Sequence, residues 1–361
     1  MMLAALPLFG QNVLPEIEVH VIESSVLDEQ RETFIYQPEP HLKLPTVYLL
    51  DGKENLLSAI GVISNLVRAN VIPKVNIVGI NNYDYDRTKD LTPKPTESNE
   101  DFGGADKFIE FIETEIFSLV EAQSIPNTYK VLVGHSLGGL FATYSVIKRS
   151  GLFDAYIQVA GSYWFNDQGV VTDFLKLDPS SLSQKKLYFS LANEVDTKEG
   201  FNILKERLSG KPNTYFDEFP DADHITGLIP SLFNGLQFIF SEWKGWDALY
   251  ETNNFEGVKE KVLLLEKTYK MDVIPHAVPL AGYARDLTTK NRFTESIEIL
   301  SYLEGFHPEH IMVLNYLGEA YQKKGDHTKA KAVYERSLKV AEKRKSPMIR
   351  WIRARLLEVG N

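Results

Sequence analysis

The amino-acid sequence predicts an α/β fold, with a doubly wound, mostly parallel sheet, followed by an all-α helical-repeat domain. Short apolar runs alternate with segments of helical period up to about residue 243. Within this part, one apolar run leads directly into a Gly-x-Ser-x-Gly sequence and then into a helical segment. After Trp243 the strand-like runs stop, and a pattern with a period of about 34 residues begins.

The predicted strands are short apolar or alternating runs. Two of them near the N-terminus, Ile17–Ile22 and Glu32–Tyr36, are predicted as edge strands. The central sheet is predicted to contain Thr46–Leu50, Val75–Ile80, Lys130–Val133, Ala155–Val159, Lys186–Leu191 and Tyr215–Phe219. Ligands of such sheets bind outside the carboxyl ends of the strands, so we expect functional residues directly after these runs.

The Gly-x-Ser-x-Gly pattern lies in Val131–Gly139, at a predicted strand-to-helix junction. A serine at such a turn is held with its hydroxyl above the sheet, and glycines beside it allow the close approach. The helix predicted over Leu137–Lys148 points its first N–H groups at the place where an oxyanion would form. Ser136 is therefore the predicted nucleophile. The alternative is that Ser136 only caps this helix.

Two carboxylates follow the predicted strand Lys186–Leu191, where the acid of a Ser-acid-His triad is expected. Glu194 lies nearer the strand end and is the favoured acid, with Asp196 as the alternative. At least one of the two is expected to be an ordinary loop carboxylate.

His224 follows the predicted strand Tyr215–Phe219 and precedes an apolar helical segment at about 225–240. A serine hydroxyl is a weak nucleophile until a base removes its proton, and His224 is the predicted base. The carboxylate would fix the imidazole tautomer and stabilise the imidazolium. The alternative is a surface histidine without a chemical role. His135 is expected to pack under the turn rather than act as a base.

The predicted oxyanion donors are two backbone N–H groups. Leu137, directly after the nucleophile, supplies one of them. The second is expected from Gly52, after the strand Thr46–Leu50, with Lys53 as the alternative. Asp51 is expected to hydrogen-bond within its own loop.

Several further motifs accompany this turn. They are Val47-Tyr48-Leu49-Leu50-Asp51-Gly52, the segment 77–82 followed by Arg87 and Asp90-Leu91-Thr92-Pro93, the start of a helix at Gly104-Ala105, Phe153-Asp154-Ala155-Tyr156, and Ala160-Gly161-Ser162 before Tyr163 and Trp164. With these motifs, residues 16–243 resemble the Putative esterase family of the α/β-hydrolases. That group includes enterochelin (siderophore) esterases, esterase D-like enzymes and mycolyl-type acyltransferases.

The resemblance implies a Ser-acid-His esterase whose acid is a glutamate just after the strand, which matches Glu194. The sequence departs from the family pattern in two places. The usual Ser-Pro-Ser before the tryptophan is Ala160-Gly161-Ser162-Tyr163 here, and the acid loop carries the additional Asp196. The departures concern the choice of acid and the acyl pocket, and they leave the chemistry unchanged.

The predicted substrate-binding residues are Arg87, Tyr163 and Trp164. Arg87 lies in the polar loop 81–104, which is long enough to line or cover the site. Its guanidinium could clamp an acidic group of a substrate, and the alternative is an ion pair with Asp90 in the same loop.

The predicted function is a serine carboxylic-ester hydrolase that forms an acyl-enzyme intermediate on small acyl esters or siderophore-type lactones. One alternative is an acyltransferase of the same fold. Another is a catalytically inactive hydrolase-fold scaffold that binds a partner, because folds are retained after their chemistry is lost.

Composition limits the partners. A net charge of −10 argues against nucleic acid or an anionic membrane as a partner, so the expected partner is a small-molecule ester. No apolar run reaches the about 18 residues that a membrane-spanning helix needs. The chain contains no cysteine, which excludes disulfides, thiolate catalysis and cysteine-rich metal sites. No metal or cofactor is expected.

The two ends of the chain are predicted separately. Residues 1–15 resemble the apolar core and cleavage region of a signal peptide but lack a basic start. A truncated leader would imply a periplasmic or secreted protein, and an ordinary N-terminus a cytoplasmic one.

Residues 244–361 are predicted to form tetratricopeptide-like helical repeats, with Phe255–Tyr269 as half of an early unit and Lys339–Arg355 as a capping helix. The repeat pattern is carried by Leu317, Gly318, Tyr321, Gly325, Ala330 and Tyr334. The array either only completes the packing of the protein or offers a surface for a homodimer or a protein partner.

Overall fold

The computed structural model describes residues 15–97 and 99–360. The chain divides into two compact units, the first formed by Met1–Lys244 with Tyr269–Asp272, and the second by Gly245–Thr268 with Val273–Asn361. The signal-like segment predicted over residues 1–15 lies outside the described residues, apart from Pro15.

The first unit is built on one mixed sheet. Its strands, among the described residues, are β1 (Glu18–Ser24), β2 (Glu29–Tyr36), β3 (Thr46–Leu50), β4 (Asn76–Ile80), β5 (Lys130–His135), β6 (Ala155–Val159), β7 (Lys186–Ala192) and β8 (Thr214–Phe219). They lie in the order β1-β2-β4-β3-β5-β6-β7-β8. The β1–β2 and β2–β4 pairs are antiparallel, and every later pair is parallel. The predicted mostly parallel sheet is confirmed.

The positions of two strands in the sheet differ from the expectation. We expected β2 at an edge, but it lies between β1 and β4, and β8 forms the second edge instead. The alternation of apolar residues determines which face of a strand is buried, whereas the neighbours of the strand depend on the connections. β8 fits an edge because none of its residues is fully buried.

The helices of the first unit are α1 (Gly52–Arg68), α2 (Arg87–Leu91), α3 (Ala105–Phe111), α4 (Phe117–Ala122), α5 (Leu137–Lys148), α6 (Gly169–Leu175), α7 (Lys198–Leu208) and α8 (Leu228–Ile239). A π-helical turn, Ile112–Ile116, joins α3 to α4, and 3₁₀ turns occur at Pro179–Leu182 and Ser241–Trp243. The helix expected at 225–240 begins later, because the Asp223 side chain accepts the N–H groups of Ile225 and Thr226 in a turn.

Helices cover both faces of the sheet. α5 packs against α3 and α6, while α1 packs against α8. Consecutive residues of a strand point to opposite faces of the sheet, and β6 shows this. Tyr156 belongs to the core cluster that contains residues of α5, whereas Ile157 lies against Gly235 of α8. α5 is buried on nearly all sides from Gly138 to Val146, as expected for a helix that is apolar all round.

The second unit is helical over its described residues. Its helices are α9 (Trp246–Glu251), α10 (Phe255–Tyr269), α11 (Ala277–Thr289), α12 (Phe293–Phe306), α13 (Ile311–Lys324), α14 (His327–Lys343) and α15 (Ile349–Gly360). α11 packs against α12, and α13 against α14. A Cβ at Gly318 would stand 2.6 Å from the Tyr334 ring, so a glycine is needed for this close helix pair. The tetratricopeptide-like character of the array stays a prediction.

The predicted capping helix Lys339–Arg355 is wrong. α14 ends at Lys343 and α15 begins at Ile349, with Lys345 at a φ of 51° between them. Pro347 explains the break, because a proline disfavours helical geometry in the residue before it. None of the described helices is both long and apolar enough to span a lipid bilayer.

The packing at the end of β5 can be tested by a substitution of Gly134. A Cβ at this position would lie 2.1 Å from the carbonyl oxygen of Gly138, which is too close for two nonbonded atoms. We expect Gly134→Ala to lower the free energy of unfolding by about 1–3 kcal/mol or to prevent folding. The control is Gly61→Ala at an exposed position of α1, where a Cβ would have no neighbour within 4 Å. It should stabilise the protein by about 0.5–1 kcal/mol. Urea unfolding followed by circular dichroism measures both, and equal midpoints would contradict the steric argument.

Candidate active site

The carboxyl ends of the parallel strands surround one cavity of about 550 Å³. Its lining includes Ser136 from the β5–α5 junction, Glu194 and Asp196 from the loop after β7, and His224 from the loop after β8. Trp164, after β6, also lines it. The fold thus brings these five residues together, although Ser136 and His224 are 88 positions apart in the chain.

Ser136 occupies a strained backbone conformation, with φ 61° and ψ −120°. A positive φ is uncommon for a residue with a side chain, and it persists only where the surroundings hold it. Its N–H donates to Val159 O at 2.9 Å, and its carbonyl accepts from Leu140 N and Ser162 N, each at 3.1 Å. The side chain makes no capping hydrogen bond to α5, so the alternative role as a helix cap is wrong.

Ser162, which the sequence pattern included only within a family motif, is a neighbour of the predicted nucleophile Ser136. Its Oγ lies 3.3 Å from Ser136 Oγ, and the residue is only 4% exposed. No hydrogen bond joins Ser136 to the His224 ring in this structure, although both line the cavity. Such bonds are often long in ligand-free enzymes and form when substrate binds. The position of Ser162 directly after β6 was the available sequence signal.

The acid nearest to the histidine is Glu194. Its Oε1 lies 3.0 Å from Nδ1 of His224, and the glutamate side chain is largely buried. Oε1 is buried and accepts no hydrogen bond from the described residues, so its contact with Nδ1 is an ion-pair distance alone. Asp196 is exposed and makes no ion pair within 4.0 Å to any described residue. The geometry therefore favours Glu194 as the orienting acid, with Nε2 as the ring nitrogen that does not contact the carboxylate.

His135 supports the histidine loop. Its Nε2 donates to the backbone carbonyl of His224 at 2.8 Å, and the two rings are 4.5 Å apart. Burial, together with the neighbouring His224, lowers the pKa of His135 to about 4, so its ring is neutral at neutral pH. The ring is half-buried and its Nε2 already donates to the His224 carbonyl, which fits packing under the turn. The low pKa makes it a weak base.

Arg87 pairs with Asp51 instead of Asp90, which corrects two expectations. Its Nε donates to Oδ1 of Asp51 at 2.7 Å and its Nη2 to Oδ2 at 2.8 Å. Nη2 also reaches the carbonyl oxygen of His135 at 3.3 Å. Asp90 binds Arg31, with 2.6 Å between Nη1 and Oδ2. Asp51 follows β3 and Arg87 lies in the segment after β4, so the pairing of these two strands brings the two residues together. The substrate-binding role of Arg87 stays a prediction.

The predicted oxyanion donors both begin helices. Gly52 is the first residue of α1 and Leu137 the first of α5, and such N–H groups lack a partner within the helix. A Cβ at Gly52 would be 2.4 Å from the carbonyl carbon of Gly79, so only glycine fits beside β4. A Cβ at Gly138 would lie 3.7 Å from Oδ2 of Asp51, so the starts of the two helices are close together.

The side chains of Tyr163 and Trp164 lie in different environments. Tyr163 is 1% exposed, its hydroxyl lies 3.1 Å from Thr143 Oγ1, and burial raises the pKa of this hydroxyl. The structure places Tyr163 in the core, which corrects its predicted contact with substrate. Trp164 is 51% exposed and lines the cavity. No group of three or more potential metal ligands occurs among the described residues.

Residues 24–187 match the family described as Putative esterase. The matched region is less than half of the chain. The siderophore triacetylfusarinine C esterase of Aspergillus fumigatus is 32% identical over 133 residues, which are 34% of this chain and 46% of that protein. The chain thus spans about half the length of this curated relative. The resemblance drawn from the motifs is confirmed.

Solved structures agree on the fold. An IroE-like serine hydrolase from Shewanella oneidensis has a TM-score of 0.63 and 26% identity, covering 81% of this chain and 99% of that chain. Siderophore hydrolase EstB from Aspergillus nidulans has a TM-score of 0.55 and 21% identity, covering 68% and 99%. The first unit therefore has the α/β-hydrolase fold.

The choice between the two carboxylates is testable by ester hydrolysis. We expect Glu194→Gln to lower kcat by roughly 10²–10⁴, because the imidazolium loses the charge beside Nδ1. Asp196→Asn should lower kcat on an uncharged ester by less than about tenfold, since this carboxylate does not contact His224. The reverse ranking would transfer the role to Asp196, and two small effects would indicate a Ser-His dyad.

The pKa of His135 predicts how stability depends on pH. The unfolded chain takes up a proton at the ordinary pKa of about 6.5, whereas folded His135 resists protonation until about pH 4. Stability should therefore fall as pH falls through this window. In His135→Gln, whose amide can still donate to His224 O, we expect a smaller loss between about pH 7.5 and about pH 5 in urea unfolding. An equal loss in both proteins would show that His135 is not the group responsible.

Proposed function

We propose that this protein is a serine carboxylic-ester hydrolase that acts through an acyl-enzyme on small acyl esters or siderophore-type lactones. One observation carries the proposal: Ser136 lies on a strained strand-to-helix turn in the same cavity as His224, whose Nδ1 is 3.0 Å from Glu194. A nucleophile, a base and an orienting acid are the groups that acyl transfer through serine needs.

The reaction begins with attack of Ser136 Oγ on the ester carbonyl carbon, while Nε2 of His224 takes the hydroxyl proton. The imidazolium is stabilised by the Glu194 carboxylate beside Nδ1. The tetrahedral intermediate collapses, the carbon–oxygen bond to the alcohol breaks, and His224 returns the proton to the leaving oxygen. Water then attacks the acyl-enzyme with His224 again as base, which releases the acid and restores Ser136.

The negative charge of each tetrahedral intermediate falls on the former carbonyl oxygen. The N–H groups of Gly52 and Leu137 begin α1 and α5 and have no partner within their helices, so they are available to this oxygen. The positive ends of the two helix dipoles favour the same charge. Removal of one such donor typically costs about 10²–10³ in kcat.

Two observations support the substrate class, namely the size of the cavity and the similarity to a siderophore esterase. A cavity of about 550 Å³ suits a small organic ester. The similarity to the triacetylfusarinine C esterase supports siderophore-type esters as candidates. Acyl transfer to another alcohol would use the same residues. The two reactions differ only in the acyl acceptor, which is water in hydrolysis and an alcohol in acyl transfer. A binding scaffold without chemistry is disfavoured because serine, acid and histidine are all present and share one cavity.

Ser136 should be the residue that a fluorophosphonate modifies. Ser136→Ala should abolish this labelling and lower kcat on an activated ester by roughly 10⁴–10⁶. The oxyanion donors should still provide weak residual catalysis. Ser118→Ala, an exposed serine on α4, is the matched control and should be labelled like the parent protein. Mass spectrometry of the labelled peptide identifies the site, and modification of any other serine contradicts the proposal.

A further inference from the structure

One wall of the cavity combines an exposed aromatic ring with an unpaired carboxylate. Trp164 is 51% exposed and contacts Phe165 edge to face, with 6.4 Å between the ring centroids. Phe165 is buried, so it anchors the tryptophan from below. Asp196 lines the same cavity and makes no ion pair within 4.0 Å to any described residue.

The charge of this cavity is negative. Its described lining contains the carboxylates of Glu194 and Asp196 and includes no lysine or arginine. Glu194 is engaged with His224, which leaves the charge of Asp196 uncompensated. Two cations of neighbouring loops are already paired, since Arg87 binds Asp51 and Lys53 binds Asp84. Lys198 begins α7 close to Asp196 in sequence, but it is exposed and does not line the cavity.

A carboxylate and an aromatic face both attract a cation. The face of a tryptophan ring carries partial negative charge and binds ammonium groups, and a nearby carboxylate adds a direct charge–charge attraction. The same two groups repel an anionic substituent. Because the cavity also contains Ser136, any group held there belongs to a molecule whose ester can reach the nucleophile.

We propose that Trp164 and Asp196 form a subsite for a positively charged, ammonium-bearing group of the ester substrate. The proposal rests on the proposed function and adds a charge preference to it. Asp196, which is not the acid nearest His224, has in this assignment a role in specificity. The subsite selects neutral and cationic esters over anionic ones.

The test compares esters of equal shape and different charge. In one pair, the alcohol part of an acetate ester ends in a trimethylammonium group or in a neutral tert-butyl group. In the second pair, the acyl part of a nitrophenyl ester ends either in a trimethylammonium group or in a neutral tert-butyl group. We expect kcat/KM to favour the cationic member about tenfold in at least one pair at low salt, and the preference to shrink at high salt.

Two variants connect the preference to the subsite. Asp196→Asn and Trp164→Leu should each reduce the cationic-to-neutral ratio of kcat/KM by about threefold or more. Asp28→Asn removes the same charge from the exposed β1–β2 turn, where φ is 60° and asparagine fits, and should leave the ratio as in the parent protein.

The outcomes separate the two proposals. A ratio of one or less in both pairs, or a preference that Asp196→Asn does not reduce, overturns the subsite while hydrolysis of the neutral esters upholds the esterase. If no ester in the panel is hydrolysed and a fluorophosphonate does not label Ser136, the proposed function fails, and the substrate subsite fails with it.

Discussion

The backbone turn at Ser136 is the constraint on which the rest of the site depends. Its φ of 61° with ψ of −120° costs on the order of 1–3 kcal/mol and must be held by the surrounding structure. Hydrogen bonds to Val159, Leu140 and Ser162 hold the turn, and Gly134 allows Gly138 to pass close to β5. Burial of α5 from Gly138 to Val146 supplies stabilisation against this cost, because it removes apolar surface from water.

A second level of organisation joins three loops through His135. Its carbonyl oxygen accepts from Arg87, which holds Asp51 at the start of α1, and its ring donates to the carbonyl of His224. His135, next to the predicted nucleophile, therefore contacts both the loop of Gly52, the predicted oxyanion donor, and the loop of His224, the predicted base. Such polar networks are strong in a partly buried setting, where unpaired groups are costly. Arg87 gains a structural role from this network.

Local patterns were sufficient for the elements of the sheet. The bounds predicted for Thr46–Leu50, Ala155–Val159 and the helix Leu137–Lys148 are those of β3, β6 and α5, because buried strands and helices differ in period and length. The order of the strands was beyond such patterns, as the position of β2 shows. The break inside the predicted capping helix does have a local signal, because Pro347 disfavours helical geometry in the residue before it.

The sequence by itself determined the residue types of the site, their order along the chain and the turn that carries Ser136, because these depend on neighbouring residues. Only the tertiary structure decided that Glu194 rather than Asp196 lies beside His224, that Arg87 binds Asp51, and that the Tyr163 side chain is buried. Each of these depends on which distant segments become neighbours when β3, β5 and β7 align. Two carboxylates two positions apart look alike in sequence, whereas the path of the loop after β7 directs one to the histidine and the other to the open cavity.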